Sequence, residues 1–150
     1  MVMERLPIAE LRRKAQSGSV VAEAFLGICY LDGVNVEVDY KEAFRLLSNA
    51  AEQGVPRAMA SLARMYADGL GTPQGLQEAV RLYEKAARAG EFFAQIELAR
   101  IYARGLGVPV DGAVALRWYS AACQEANVAD CEELREARAY LANRAGKPAS

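Results

Sequence analysis

The sequence predicts an all-α fold assembled from repeated helix–turn–helix units. The stretch ARMYADGLGTP, residues 63–73, recurs as ARIYARGLGVP at residues 99–109, with eight of eleven positions identical. Tyr30, Tyr66 and Tyr102 lie 36 residues apart, and self-similarity at a fixed period of this length is typical of solenoid repeats. Residues between these positions follow helical spacings, and no strand pattern is present.

The first helix of each unit, here called the A helix, is predicted by an apolar stripe. A leucine lies four residues before each repeat tyrosine and an alanine eight residues before it, so that the three share one helical face. A glycine three residues after the tyrosine ends the helix, because glycine adopts positive φ without Cβ strain. The stripes and their glycines are Ala22, Leu26, Tyr30 and Gly33; Ala58, Leu62, Tyr66 and Gly69; and Ala94, Leu98, Tyr102 and Gly105.

The second helix, the B helix, is predicted by two alanines seven residues apart with a large apolar residue between them. Asp39 followed by Glu42 has the form of a capping box at the start of the first B helix. Asp111 occupies the same place in the third unit, and Gly75 in the second. The three stripes are Ala43, Leu46 and Ala50; Ala79, Leu82 and Ala86; and Ala115, Trp118 and Ala122.

Both ends of the chain are interpreted as half units. An unpaired B helix at the start and an unpaired A helix at the end are expected to cap the array. We therefore expect about eight helices in a single domain over residues 1–150. Its parts are an N-terminal cap helix at 5–17, repeats at 18–54, 55–90 and 91–126, and a C-terminal cap helix at 128–144.

Composition excludes several classes of function. The 150 residues hold 18 basic and 19 acidic side chains, for a net charge of −1, which gives no support for nucleic acid or a membrane as partner. The absence of histidine excludes Ser-His and Cys-His catalysis and histidine-based metal sites. The Gly-x-Gly of Gly69 and Gly71 lacks the preceding strand that a phosphate-binding loop requires, so it is interpreted as a turn. We expect no catalytic residue, no metal and no cofactor.

These motifs together resemble the Sel1-like repeat (SLR) family, relatives of the tetratricopeptide repeats. The resemblance implies a right-handed α/α superhelical solenoid that serves as a protein-binding scaffold, often in bacteria, and does not imply an enzyme. Asn35 departs from the family pattern where the first unit should have its second loop glycine. The third unit carries most of the pattern, with Ala94, Leu98, Tyr102, Gly105, Gly107, Val108, Asp111, Ala115, Trp118, Tyr119 and Ala122.

In this repeat class the A helices line the concave face, so partner-binding residues are expected there. The candidate positions lie at −5, −2, +2, +5 and +6 from each repeat leucine. The hypothesis is that the arginines among them bind carboxylates of a partner, with Phe93 as an apolar anchor. The alternative is that they are solvated and paired with Asp68, Glu97 or Glu132. The candidate site comprises Ile28, Asp32, Arg57, Arg64, Asp68, Phe93, Arg100 and Arg104, and the counted positions also include Val21, Ala24, Leu31, Ala60, Ala67, Ile96 and Ala103.

The leading interpretation is a non-catalytic scaffold or adaptor that binds a peptide or protein and is itself a monomer. One alternative is a regulator or an immunity or inhibitor protein for a secreted bacterial effector, and another is a structural spacer. A hydrolase of cell-wall peptides or β-lactams, as suggested for some cysteine-rich relatives, is disfavoured because no nucleophile has a base beside it.

Compartment and cysteine pairing are linked. The start, MVMERLPIAELRRK, has charges where a signal peptide has its apolar core, so the chain is expected to be cytoplasmic; a periplasmic or secreted location is the alternative if a leader was removed. Cys29 occupies an apolar core position. Cys123 and Cys131 are placed like the bridges of cysteine-rich secreted members of the family, but a cytosolic chain would keep them reduced, so both states stay open.

Overall fold

The computed structural model describes residues 7–125 and 132–145, and within these ranges every regular element is an α-helix. The all-α prediction is confirmed. The A helices are α2, α4 and α6, and the B helices are α3, α5 and α7. The elements are α1 Ile8–Gln16, α2 Val20–Asp32, α3 Tyr40–Glu52, α4 Pro56–Asp68, α5 Leu76–Arg88, α6 Phe92–Arg104, α7 Gly112–Glu125 and α8 Glu132–Ala145.

The chain divides into two compact units, Met1–Leu82 and Tyr83–Ser150, with the boundary inside α5. In the first unit, α2 packs against α1 and α3, and α4 packs against α3 and α2. In the second unit, α8 and α7 both pack against α6, and α7 packs against α8. The expectation of a single domain over the whole chain stays a prediction.

Small residues let the paired helices approach closely. The repeat alanines Ala22, Ala58 and Ala94 of the A helices expose 0% of their surface. At Gly27 in α2 an added Cβ would lie 2.8 Å from Cγ of Leu47 in α3. Real Cβ atoms do not approach other atoms this closely, so the α2–α3 spacing depends on glycine at this position.

The N-terminal half unit buries one central side chain. Leu11 of α1 is 1% exposed and lies in a cluster with Ala22 and Leu26 of α2 and Leu46 of α3. The first A helix is thereby covered on the side where no complete repeat precedes it, which is the function expected of a cap.

The helix ends follow the predicted chemistry with one exception. Gly33, Gly69 and Gly105 end the A helices in the left-handed conformation, with φ of 69°, 67° and 69°. Asp39 Oδ1 accepts a hydrogen bond from the Glu42 N–H at 3.1 Å. The return bond of the predicted capping box is not made, because the Glu42 carboxylate binds Arg45 and the Asp39 N–H donates to the Tyr30 carbonyl.

Main-chain hydrogen bonds close each A–B turn in the same way. The Tyr30 carbonyl accepts from the Asp39 N–H at 3.0 Å, and the Tyr66 carbonyl accepts from the Gly75 N–H at 2.9 Å. A third bond of 2.9 Å joins the Asp111 N–H to the Tyr102 carbonyl. The repeat tyrosine therefore fixes the start of the B helix through its backbone as well as packing through its ring.

Candidate functional site

Each A helix carries a row of side chains that the core leaves at least partly exposed. Its members follow the spacing i, i+4, i+7, i+11, which marks one face of a helix. We call this set the outer row. It consists of Val21, Phe25, Ile28 and Asp32 on α2 and Arg57, Ser61, Arg64 and Asp68 on α4 in the first unit, and of Phe93, Glu97, Arg100 and Arg104 on α6 in the second.

Part of the sequence-based placement of this face was wrong. The −2 and +5 positions lie about 70–90° around the helix from the centre of the outer row, at about 100° per residue. Five of these six positions point into the core, whereas Ala67 is half-buried; in the first unit Ala24 and Leu31 share a cluster with Leu62 of α4. The residues misplaced in this way are Ala24, Leu31, Ala60, Ile96 and Ala103, each 8% exposed or less.

Three outer-row residues were missed by counting from the repeat leucine. Phe25, Ser61 and Glu97 lie directly before Leu26, Leu62 and Leu98, and they complete the helical spacing that the flanking candidates begin. The signal was available in the sequence, because i and i+4 residues share a face.

In the first unit, the arginines of the outer row already have partners. The Arg57 guanidinium lies 5.5 Å from the centre of the Phe25 ring, within the range of a cation–π contact. The Arg64 Nη2 donates to Asp32 Oδ1 at 2.5 Å, and both side chains are about half exposed. Both contacts join α4 to α2. Ile28, between them in the row, is partly buried against the core.

In the second unit, the arginines of α6 differ from each other. The Arg100 Nη1 donates to Glu97 Oε1 at 2.5 Å, one of the pairings that the alternative interpretation anticipated. Arg104 is exposed and makes no ion pair with any residue that the structure describes.

Tyr119 of α7 lies behind these arginines and is 5% exposed. Desolvation raises the pKa of its hydroxyl, while the nearby positive charges of Arg100 and Arg104 oppose the rise. Arg100 is therefore paired with Glu97 on its own helix and lies near the buried phenol of Tyr119.

Phe93 begins the outer row of the second unit and is 64% exposed, the highest value among the large apolar side chains described. Its ring meets Phe92 edge-to-face with centroids 5.7 Å apart. A phenylalanine this exposed contributes little to the core and is available for an apolar contact.

A separate feature is an open cleft of about 590 Å³ along α3. Within it Arg45 pairs with Glu42, and the hydrogen bond from Arg45 lowers the pKa of the Glu42 carboxyl. The cleft is lined by Asp39, Lys41, Glu42, Phe44, Arg45, Ser48, Asn49 and Glu52.

The cysteines are in different states. Cys123 is disulfide-bonded, whereas Cys29 is a thiol partly buried in the first unit. Cys131 lies outside the described residues, so its pairing with Cys123 stays a prediction. Within the described ranges no group of three or more Cys, Asp or Glu side chains is arranged to hold a metal ion, and no helix is long and apolar enough to cross a membrane.

Comparison with known families decides the classification. The Sel1 repeat model matches residues 20–55, 56–91 and 93–127. The chain belongs to the Sel1 repeat family. Proteins built from Sel1 repeats are generally protein-interaction scaffolds and are typically non-catalytic. A comparison with curated proteins finds no match.

Solved structures agree with this assignment. A Sel1 repeat protein from Oxalobacter formigenes is 31% identical, with a TM-score of 0.72 over 81% of this chain and 92% of its own. The protective antigen c5321 of uropathogenic Escherichia coli, described as an SLR fold, is 30% identical with a TM-score of 0.74; the match covers 95% of this chain and 34% of that one. Helicobacter pylori cysteine-rich protein B shares the fold at 19% identity, with a TM-score of 0.68 over 88% of this chain and 97% of its own. The predicted class, an all-α solenoid of Sel1-like repeats, is confirmed.

Proposed function

We propose that this Sel1 repeat chain is a non-catalytic interaction module that binds a peptide or protein through the outer row of its A helices. The observation that carries the proposal is the composition of that row. Arginine and aromatic side chains, the types enriched where proteins bind one another, occupy four of its seven exposed positions: Arg57, Arg64, Phe93 and Arg104. The repeat alanines and leucines on the other faces of the same helices are buried, so a partner can contact the row without disturbing the fold.

The predicted binding residues differ in how available they are to a partner. Arg57 and Arg64 are engaged by Phe25 and Asp32, so a partner must compete with those contacts or bind the pairs as they stand. Asp68 and Arg104 are exposed, and neither has an ion-pair partner among the described residues. Ile28 contributes apolar surface only at its exposed edge.

The test is affinity capture from native lysate with quantitative mass spectrometry. The double variant Arg64→Glu/Arg100→Glu reverses two outer-row charges. Arg45→Glu/Arg81→Glu is the matched control, because it makes the same charge change on B helices, where each arginine pairs with a glutamate three residues earlier. Circular dichroism must first show that both variants are folded.

A protein enriched by wild type and control but lost from the outer-row variant supports the proposal. Equal enrichment by all three proteins places the interface on another surface and contradicts it. Size-exclusion chromatography with light scattering on the same samples checks the companion proposal that the chain is a monomer.

We also propose that Cys123 pairs with Cys131 and that the chain works in an oxidising compartment such as the periplasm. The disulfide-bonded state of Cys123 supports this, since such bonds persist outside the reducing cytosol. Protein purified without reductant should then titrate one thiol of its three cysteines after denaturation. Three thiols would contradict the pairing and favour the cytoplasm.

A further inference from the structure

We propose that the outer row of α6 recognises one kind of ligand: an extended peptide with a carboxylate three to five residues from an aromatic or large aliphatic side chain. This deepens the proposed function and rests on it. The site lies wholly within the second unit and consists of Phe93, Arg100 and Arg104, with Tyr119 behind them.

The sign of the ligand's charge follows from the ion pairs. Glu97 pairs with Arg100, which leaves the charge of Arg104 unmatched among the residues that the structure describes. Arg100 and Arg104 are four residues apart on one face, where like charges repel. A carboxylate bound at this pair relieves the repulsion and gains charge-assisted hydrogen bonds.

The donors for such a carboxylate are held in place before it arrives. A guanidinium has five N–H donors, and Glu97 receives the bond from one nitrogen, Nη1, of Arg100. The buried phenol of Tyr119 lies close enough to Arg100 to feel its positive charge. Since the Arg100 side chain is already ordered by its ion pair with Glu97, binding a ligand costs little further loss of rotamer freedom.

The spacing of the ligand follows from helix geometry. Phe93 precedes Arg100 by seven residues and Arg104 by eleven, which at 1.5 Å per residue corresponds to about 10 and 16 Å. An extended peptide advances about 3.3 Å per residue, so these distances span about three to five residues. Phe93 provides an exposed ring, oriented by its contact with Phe92, for the apolar end.

The test uses fluorescein-labelled peptides of glycine, serine and threonine that carry one leucine and one aspartate. The aspartate lies one, four or eight residues from the leucine, in both chain directions, and a fourth peptide has asparagine in place of aspartate at the spacing of four. Fluorescence polarisation gives the Kd for each peptide at about 50 mM and 300 mM NaCl.

We expect the acidic peptide with spacing four to bind about tenfold more tightly than the others, and to lose this advantage at high salt. Arg104→Gln and Phe93→Ser should each abolish the advantage. Arg117→Gln, an exposed arginine of α7, is the matched control and should leave it unchanged. Neither Arg104 nor Phe93 belongs to the buried core, so both variants should fold.

Equal affinity for all spacings, equal affinity for the asparagine peptide, or no binding of any peptide at about 1 mM would overturn this inference. The capture experiment from lysate distinguishes failure of the peptide assignment from failure of the proposed interaction module. If capture depends on the outer row while the peptides show no preference, the interaction module stands and the peptide assignment fails. If capture is insensitive to the outer row, both fail.

Discussion

Replacing Gly71 by alanine tests how tightly the turn between α4 and α5 packs against the backbone at the start of α3. Gly71 has a φ of 70°, and a Cβ there would lie 2.7 Å from the Tyr40 carbonyl oxygen. The left-handed backbone costs a non-glycine residue about 1 kcal/mol. Displacing a backbone oxygen from a contact this short adds about 1–3 kcal/mol. We therefore expect Gly71→Ala to lower the free energy of unfolding by about 2–4 kcal/mol.

Gly54→Ala is the matched control in the same unit. Gly54 has a φ of 88°, but a Cβ there would meet no atom within 4 Å. It should therefore show only the conformational cost of about 1 kcal/mol. Urea unfolding followed by far-UV circular dichroism measures both variants. If Gly71→Ala is no more destabilising than Gly54→Ala, the turn does not depend on the close approach to Tyr40, and the reasoning fails.

Three further changes test the core and the tyrosine contacts. Leu98→Ala truncates a side chain with 0% exposure and should lower the free energy of unfolding, measured by urea denaturation, by about 2–5 kcal/mol. A loss as small as that of a surface substitution would mean that the buried and exposed faces of the repeat are misassigned. Gln95→Met should keep or raise the Tm, because Gln95 is 3% exposed and its Oε1 has no hydrogen-bond partner. Met59 holds the same place one repeat earlier, so a methionine fits this position. A fall of several degrees in Tm would show that the hydrogen bond from Gln95 to the Ala87 carbonyl contributes more stability than burying the unpaired oxygen costs. Tyr102, whose pKa is raised by desolvation and by its hydrogen bond to Glu84, should contribute stability that is complete below its ordinary pKa of about 10 and lost at higher pH. Tyr102→Phe should flatten that alkaline loss in Tm measured from neutral to alkaline pH, and an unchanged profile would assign the loss to other groups.

Much of the fold could be predicted because every repeat buries the same few residue types at equivalent positions. Alanine and leucine at fixed spacings allow one helix pairing, and glycine at the end of each A helix allows one kind of turn. The capping box shows the limit of such motifs. Its sequence form is present at Asp39 and Glu42, but the Asp39 N–H is already bonded to the Tyr30 carbonyl, and Arg45 offers Glu42 a charged partner.

The candidate site could be predicted only in part. Helical spacing identifies the exposed row, and stricter use of that spacing would have included Phe25 and Glu97. The partners of the arginines are harder, because they depend on which helices become neighbours. Asp32 and Arg64 are 32 residues apart and meet only once α2 and α4 have packed. An exposed charge has many partners of similar energy, so sequence alone does not select among them.

The bond from each repeat tyrosine's carbonyl to the start of the B helix uses main-chain atoms alone. Aspartate stands at the donor position in two repeats and glycine in the other, and the bond length is almost the same in all three. The bond that closes the turn is therefore the same whatever side chain stands at its donor position. Grafting the third turn, which has Gly107 where the second has Gly71, into the second repeat should keep the helix geometry, so that exposed turn residues such as Val34 and Val38 are free to diverge while the scaffold that presents them stays constant.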